Sequence, residues 1–323
     1  MVLSVTLNPS VDHALFVDEL LVGDTNRVKR VETDAGGKGV NLSRVLCELG
    51  GTTVATGFLG GAPGAYVTSV LDGQGVAHAF VTVAGDTRTN FSVEDVAKNR
   101  PTTFNQSGPQ ISEENLNELL DRVRERLPQI RWLAMGGSLP PGVPKDIFKT
   151  LVLMAHEAGV KSLVDADGEP MRLAMEAKPD FIKPNDREAT RLLSREVATR
   201  NDALKAATDL YRQLGGGDRI VVISRGAGGA VLACREGLYD GVSPSVEMRS
   251  TIGCGDSMLG GMLAAMYAEK DVVESFSWGL AAGAATAATD GTEIARRGMV
   301  DELLPKVKVE RDFEGSLMEA DLI

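Results

Sequence analysis

The segment STIGCGDSMLGG at 250–261 concentrates the residues best suited to chemistry. Gly253 and Gly255 flank Cys254, and Asp256 opens an apolar helical run. Backbone N–H groups of Gly253, Cys254 and Gly255 at a helix N-terminus form a hole for an anion. Asp256 falls in the same positive first turn, which favours its ionised form. This pattern fits phosphoryl transfer. The hole can hold the charge on a moving phosphate, and Asp256 can take the proton of an attacking hydroxyl. The same residues also fit a glycine turn capped by an aspartate.

Other candidates lie far apart in the chain. In DAGGKGVNLSRVLCELG at 34–50, Gly36, Gly37 and Gly39 precede a helix bearing Asn41. The G-x-x-x-x-G-K-[ST] phosphate loop is absent. Bare backbone there can instead approach a sugar, with Asn41 bonding hydroxyls and Lys38 reaching an anionic group. Asp12 in TLNPSVD follows the first expected strand at its carboxyl end, where open α/β sheets bind ligands. Arg27 and Arg88 add forked cations suited to a phosphate. In KPNDREA at 183–189, Asn185 and Glu188 share one face of a helix start and could orient the water shell of a magnesium ion. VVISRGAGGAVL at 221–232 places Ser224, Gly226 and Gly229 in a turn that admits a nucleotide, or simply a β-turn. Ser138 in GGSLPPGVP sits in a loop after a strand, within reach of substrate.

Elements that could hold these residues together follow from the pattern of the chain. Apolar runs at 2–7, 53–58, 130–135, 161–165, 179–183 and 219–223 suit strands covered on both faces. Between them, helices are expected at 39–49, 64–74, 112–127, 145–158, 186–194, 201–214, 256–269 and 272–288. The alternation predicts an α/β fold, a doubly wound and mostly parallel sheet. Residues 11–34 and 86–105 alternate apolar and polar residues, as half-exposed antiparallel strands do. They read as a discontinuous β-lid on a single domain spanning 1–323.

Composition narrows the partners. The net charge of −11 argues against nucleic acid or an anionic membrane surface as a general partner. An anionic ligand would need a small local basic cluster. Gly is 36 of 323 residues, well above the usual ~7%, which suits many close backbone approaches. The three cysteines, Cys47, Cys234 and Cys254, have no metal-ligand spacing and fit a reducing cytoplasm. No secretory signal pattern opens the chain, and no apolar run reaches ~18 residues. His13, His78 and His156 show neither triad nor metal spacing.

Taken together, TLNPSVD, GGKGVN, TRTNF, TFNQSGP, GGSLPPGVP, KPNDREA and STIGCGDSM make the chain resemble the ribokinase (PfkB) family of carbohydrate kinases, from residue 2 to about 300. Within it the chain is most similar to the phosphofructokinase and tagatose-6-phosphate kinase branch. The resemblance implies a ribokinase-like domain with a lid that covers sugar and often forms a homodimer contact, and it implies ATP and magnesium. On the family pattern Asp256 is the catalytic base and Gly253, Cys254 and Gly255 form the anion hole. Asp12, Gly37, Asn41 and Ser138 would hold the sugar, and Arg27, Lys38 and Arg88 its existing phosphate. Lys183, Asn185, Ser224, Gly226, Gly229 and Thr251 would line the nucleotide side, with Glu188 orienting magnesium-bound water.

Two residues depart from the family pattern. Cys254 replaces a residue that is usually Ala, and a helix N-terminus is expected to lower its thiol pKa and make it oxidation-sensitive. Arg225 stands where Leu is common and is expected near the nucleotide. Lys38 in GGKGVN leans toward fructose 1-phosphate or tagatose 6-phosphate as acceptor, rather than fructose 6-phosphate. A dinucleotide oxidoreductase would need G-x-G-x-x-G after the first strand, where TLNPSVD stands instead. A non-catalytic sugar-phosphate sensor would be expected to have lost Asp256 or the anion hole.

Overall fold

Alternate residues of β1 (Val2–Thr6) face opposite apolar layers: Val2 one, Leu3 and Val5 the other. All three are buried. The computed structural model describes residues 1–95, 97, 100–291 and 293–312. Residues 96, 98 and 99, within the expected lid segment, lie outside the described residues.

After β1 the chain forms β2 (Ser10–Val17), β3 (Arg30–Gly36), α1 (Lys38–Glu48), β4 (Thr53–Leu59), α2 (Gly61–Gly73), β5 (Ala77–His78) and β6 (Val81–Thr82). It continues through β7 (Arg88–Asp95), β8 (Arg100–Phe104), α3 (Glu113–Arg126), β9 (Trp132–Gly136), α4 (Ile147–Glu157), β10 (Lys161–Asp165) and α5 (Gly168–Glu176). Then come β11 (Phe181–Ile182), α6 (Asp186–Leu193), α7 (Arg200–Gln213), β12 (Ile220–Ser224), β13 (Ala230–Cys234) and β14 (Gly237–Val242). The chain closes with α8 (Cys254–Tyr267), α9 (Val272–Ala287), α10 (Arg297–Leu303) and β15 (Lys308–Arg311).

Among the described residues the main sheet runs β15-β14-β13-β12-β11-β10-β9-β1-β4-β5, with β6 also paired to β4. It is parallel from β12 to β5 and antiparallel through β13, β14 and β15. One face packs on Leu119 of α3, Leu151 of α4, Met171 of α5 and Leu210 of α7. The other packs on Leu42 of α1, Met258 of α8, Leu280 of α9 and Val300 of α10. Central strands are therefore apolar on both faces, as the continuous runs in the sequence require. No helix is long and apolar enough to cross a membrane among the described residues.

A second sheet runs β3-β2-β7-β8. Its register places His13 opposite Thr33 and Phe91, and Phe91 opposite Phe104. Because side chains alternate, Asp12, Asn90 and Asp34 project from the opposite face. Its base packs through Val11 and Ala35 against Val40 of α1 and Val67 and Leu71 of α2.

Local signals explain the helices. Ser112 accepts a hydrogen bond from the Asn115 N–H and so caps α3, with Glu113 and Glu114 in its first turn. Gly260 brings α8 so close to α1 that an added Cβ would lie 2.8 Å from Val45. The sequence reading missed α5 and α10. Gly168 and Pro170 in the first turn of α5 look like a loop, and α10 spans only seven residues.

Candidate active site

Strand order reverses around β1: the chain adds β4 on one side and β9 on the other. Open α/β sheets bind ligands beyond the carboxyl ends of their strands at such a point. Gly136 ends β9 and Asp165 ends β10 there. Close packing of α1 on α8 brings two distant motifs together, and Asn41 Nδ2 donates to Asp256 Oδ2 at 2.9 Å.

Asp256 lies in the first turn of α8, which has Gly253 at its N-cap in the left-handed region (φ 73°) and no side-chain cap. The first N–H groups of such a helix are free to meet a ligand. Desolvation pushes the Asp256 carboxyl up to about 6, and Asp165 adds to the rise against the pull of Lys38, Asn41 and Lys183. The result is a carboxylate that is ionised near neutral pH yet basic for its kind.

Two lysines frame this helix head. Lys38 Nζ lies 2.9 Å from Asp165 Oδ1 and 3.8 Å from Glu188 Oε1. Burial disfavours its charge, but Asp165 and Glu188 outweigh that and hold its pKa above the usual lysine range. Lys183 Nζ lies 3.4 Å from Asp165 Oδ2. A Cβ added at Gly255 would sit 3.0 Å from the same ammonium, so Lys183 stands directly against the helix head. Burial would raise the Asp165 pKa, yet Lys183 and Lys38 hold it below the usual carboxylate value. Asp165 escaped the sequence reading. Its only signal was its place as the polar end of the apolar run KSLVD.

A cleft of about 730 Å³ opens beside this cluster. Its walls include Lys38, Arg88, Ser138 and Glu188, together with Asn8 and Gln106. Arg88 opens β7, and its guanidinium donates to the backbone oxygens of Asn8 (3.2 Å) and Gln106 (3.3 Å). Burial lowers its pKa against the pull of Asp12. Asp12 belongs to the first strand of the second sheet rather than to the end of β1. Its Oδ1 accepts from Ser10 Oγ (2.7 Å) and Asn90 Nδ2 (2.8 Å). A Cβ at Gly36 would lie 2.0 Å from Asp12 Oδ2, so a side chain there would push the Asp12 carboxylate out of its place. Gly37 (φ 116°) is likewise closed to a side chain, which would meet Thr6 and Pro9.

The remaining candidates are placed less centrally. Arg27 lies in the exposed stretch between β2 and β3 and is not among the cleft-lining residues. Thr251 is exposed in the segment before α8. Asn185 forms a capping box: its Oδ1 accepts from the Glu188 N–H (2.9 Å), and Glu188 Oε2 accepts from the Asn185 N–H (2.8 Å). The amide oxygen expected to orient magnesium water is thus engaged in the helix cap, while Glu188 Oε1 faces Lys38. Asn185 and Ser224 are bridged through their backbones. Gly226 (φ 54°) borders open space, whereas Gly229 is required by packing, since its Cβ would lie 2.0 Å from Gly241 O.

Arg225, between Ser224 and Gly226, is folded onto Asp240, with Nη2 2.6 Å from Oδ1, and Arg200 holds the other oxygen. One expectation is corrected. Cys254 does not gain acidity from the helix. Burial, with the Asp256 charge, pushes its thiol up to about 11, which removes the basis for oxidation sensitivity.

A model of the pfkB family of carbohydrate kinases matches residues 5–297. The chain is 32% identical over 311 residues to a 1-phosphofructokinase of Bacillus subtilis (strain 168), covering 96% of this chain and all of that one. A solved Thermotoga maritima structure, described as a possible 1-phosphofructokinase, superposes with a TM-score of 0.87 at 28% identity, covering 97% of this chain and 99% of that one. Phosphofructokinase-2 of Escherichia coli in complex with fructose-6-phosphate gives 0.84 at 28% identity, with 94% and 98% covered. With that match along nearly its whole length, the chain belongs to the pfkB family of carbohydrate kinases, phosphotransferases whose acceptor is a sugar hydroxyl.

Proposed function

We propose that the enzyme moves the γ-phosphoryl group of ATP to the 6-hydroxyl of fructose 1-phosphate, giving fructose 1,6-bisphosphate and ADP. The observation that carries this reading is Asp256, a carboxylate tuned to about 6 at an uncapped helix head. A general base works best with a pKa near the operating pH. Asn41 occupies one of its oxygens and leaves the other to take the hydroxyl proton. Asn41 Oδ1 is itself buried without a partner, an acceptor suited to a sugar hydroxyl.

The N–H groups of Gly253, Cys254 and Gly255 take up charge on the transferred phosphoryl, with Lys183 beside them. Asp12, Gly37 and Ser138 hold the sugar, and Arg88 and Lys38 its 1-phosphate. Closure of the second sheet over the cleft excludes water, so that the sugar hydroxyl outcompetes hydrolysis. Lys183, Ser224 and Gly226 lie on the nucleotide side.

Magnesium is expected with the triphosphate. No cluster of three or more metal-ligating side chains occurs among the described residues. Glu188 Oε1 is the carboxylate oxygen left outside the helix cap. That donor set suits a cation that keeps most of its waters and is carried by phosphate oxygens, with Glu188 orienting a water. When bound, the ion neutralises charge across the phosphates.

Fructose 6-phosphate is the second reading, favoured by the likeness to the Escherichia coli structure that carries it. ADP formation with magnesium-ATP against fructose 1-phosphate, fructose 6-phosphate and tagatose 6-phosphate decides between them. A kcat/KM highest for fructose 1-phosphate supports the proposal. A preference for a 6-phosphate keeps the mechanism and moves the phosphate pocket.

A further inference from the structure

Asn8 is a polar side chain only 4% exposed, between the last residue of β1 and the first strand of the second sheet. Its Nδ2 donates to Ser107 O at 2.9 Å and to Ser138 Oγ at 3.1 Å. Its backbone oxygen accepts from Arg88 Nε. Ser107 and Gly108 lie just beyond β8, where the chain leaves the second sheet. One side chain thus ties the point of entry into that sheet to the point of exit. The same side chain holds the loop after β9 that carries Ser138.

The tie extends to both ends of the acceptor pocket. Gln106, next to Ser107, accepts from Arg88 Nη1 through its backbone oxygen and from the Thr89 N–H through Oε1. Its own N–H donates to Asn90 Oδ1, and Asn90 Nδ2 donates to Asp12. The Asn8 amide can face only one way, because Ser107 O demands a donor. That leaves Oδ1 buried without a partner against Gly108 (φ 93°), where an added Cβ would lie 2.2 Å away. A buried amide with an unmet acceptor costs stability, so its retention here calls for a compensating role.

We propose that Asn8 is a positioning residue that sets acceptor affinity, holding Arg88 and Ser138 in register with the points where the chain enters and leaves the second sheet. This rests on the reading of the cleft as a sugar-phosphate pocket. Among the described residues the hydrogen bonds of Asn8 run to Ser107, Ser138 and Arg88 and not to the helix head of α8, so its effect is expected on the acceptor.

Asn8→Asp keeps the shape and replaces the donor with an oxygen facing Ser107 O; Asn8→Ala removes both bonds. The acceptor is whichever sugar phosphate the unmodified enzyme prefers. The expected result is a tenfold or larger rise in its KM, with the KM for magnesium-ATP within twofold. Amide hydrogen exchange at 106–108 in the ligand-free enzyme should quicken at least tenfold, while exchange at 257–264 is unchanged. That readout needs no substrate, so it stands apart from the identity of the acceptor. A folded Asn8→Asp enzyme with unchanged acceptor KM overturns the proposal. So does a parallel rise in both KM values with faster exchange everywhere, the mark of a merely structural role. If both variants fail to fold, Gly108→Ala, which drives a methyl group into the Asn8 amide, carries the same test and the same outcomes.

Discussion

The Asp256 carboxyl is caught between demands, since the helix head favours its charge and burial resists it. As a base it must be unprotonated, so kcat/KM for the acceptor should fall below pH about 6 with an apparent pKa near that value. A pH profile between 5 and 9 checks this. The same shift has a stability consequence. A pKa raised from 3.8 to about 6 stabilises the folded state fully below pH 3.8, and that contribution is lost as pH rises through 6. At pH 7.5 the ionised group therefore costs the folded state at most about 3 kcal/mol. Asp256→Asn should melt higher than the parent enzyme at pH 7.5, with the gain shrinking toward pH 4. Thermal melts at the two pH values read it directly.

At the scale of elements, α1 matters most. It carries Lys38 and Asn41 at its start and Arg44 one turn on. Arg44 is 3% exposed and binds Asp34 Oδ2 (2.8 Å), Ala35 O (2.9 Å) and Gln74 Oε1 (2.8 Å). It thereby fixes the end of β3, including Gly36, against which Asp12 rests. Burial raises the Asp34 pKa even so, which makes the pair dependent on Arg44. Arg44→Ala strands that carboxylate and should cost about 3–5 kcal/mol of unfolding free energy in a denaturant titration.

The sequence displayed this helix and its glycine-rich entry plainly, because apolar period and glycine spacing are local. It did not display Arg44, Asp165 or Asn8 as parts of the site. Each acts through partners more than four residues away, which local spacing does not reveal. Asn185 shows the converse. Its spacing to Glu188 read as a ligand pair, and a capping box uses the same spacing.

At the scale of the whole molecule, the layered sheet was legible because both of its faces are buried and apolar residues predominate along its central strands. The second sheet was legible from alternation alone, and its strands β2, β3, β7 and β8 fall largely within the two segments that broke the rhythm. Its two faces differ in kind. One presents Asp12, Asn90 and Asp34, and the other presents Val31 (52% exposed), Phe91 (36%) and Phe104 (58%). An exposed apolar sheet face of this sort suits contact with a second copy of the chain. We expect a dimer in sedimentation velocity and a monomer for Phe104→Glu, with a weaker acceptor grip in the monomer. A parent enzyme that sediments as a monomer at micromolar concentration would remove that contact from the account.

The central claim is that Asp256 takes the acceptor's proton during transfer from ATP. The most direct measurement is the rate of phosphoryl transfer by Asp256→Asn, alongside the affinity of the same variant for the sugar phosphate. The account predicts a fall in kcat of about 10²–10⁴-fold, with affinity within threefold of the parent enzyme. A variant that keeps more than a tenth of the parent rate would contradict it.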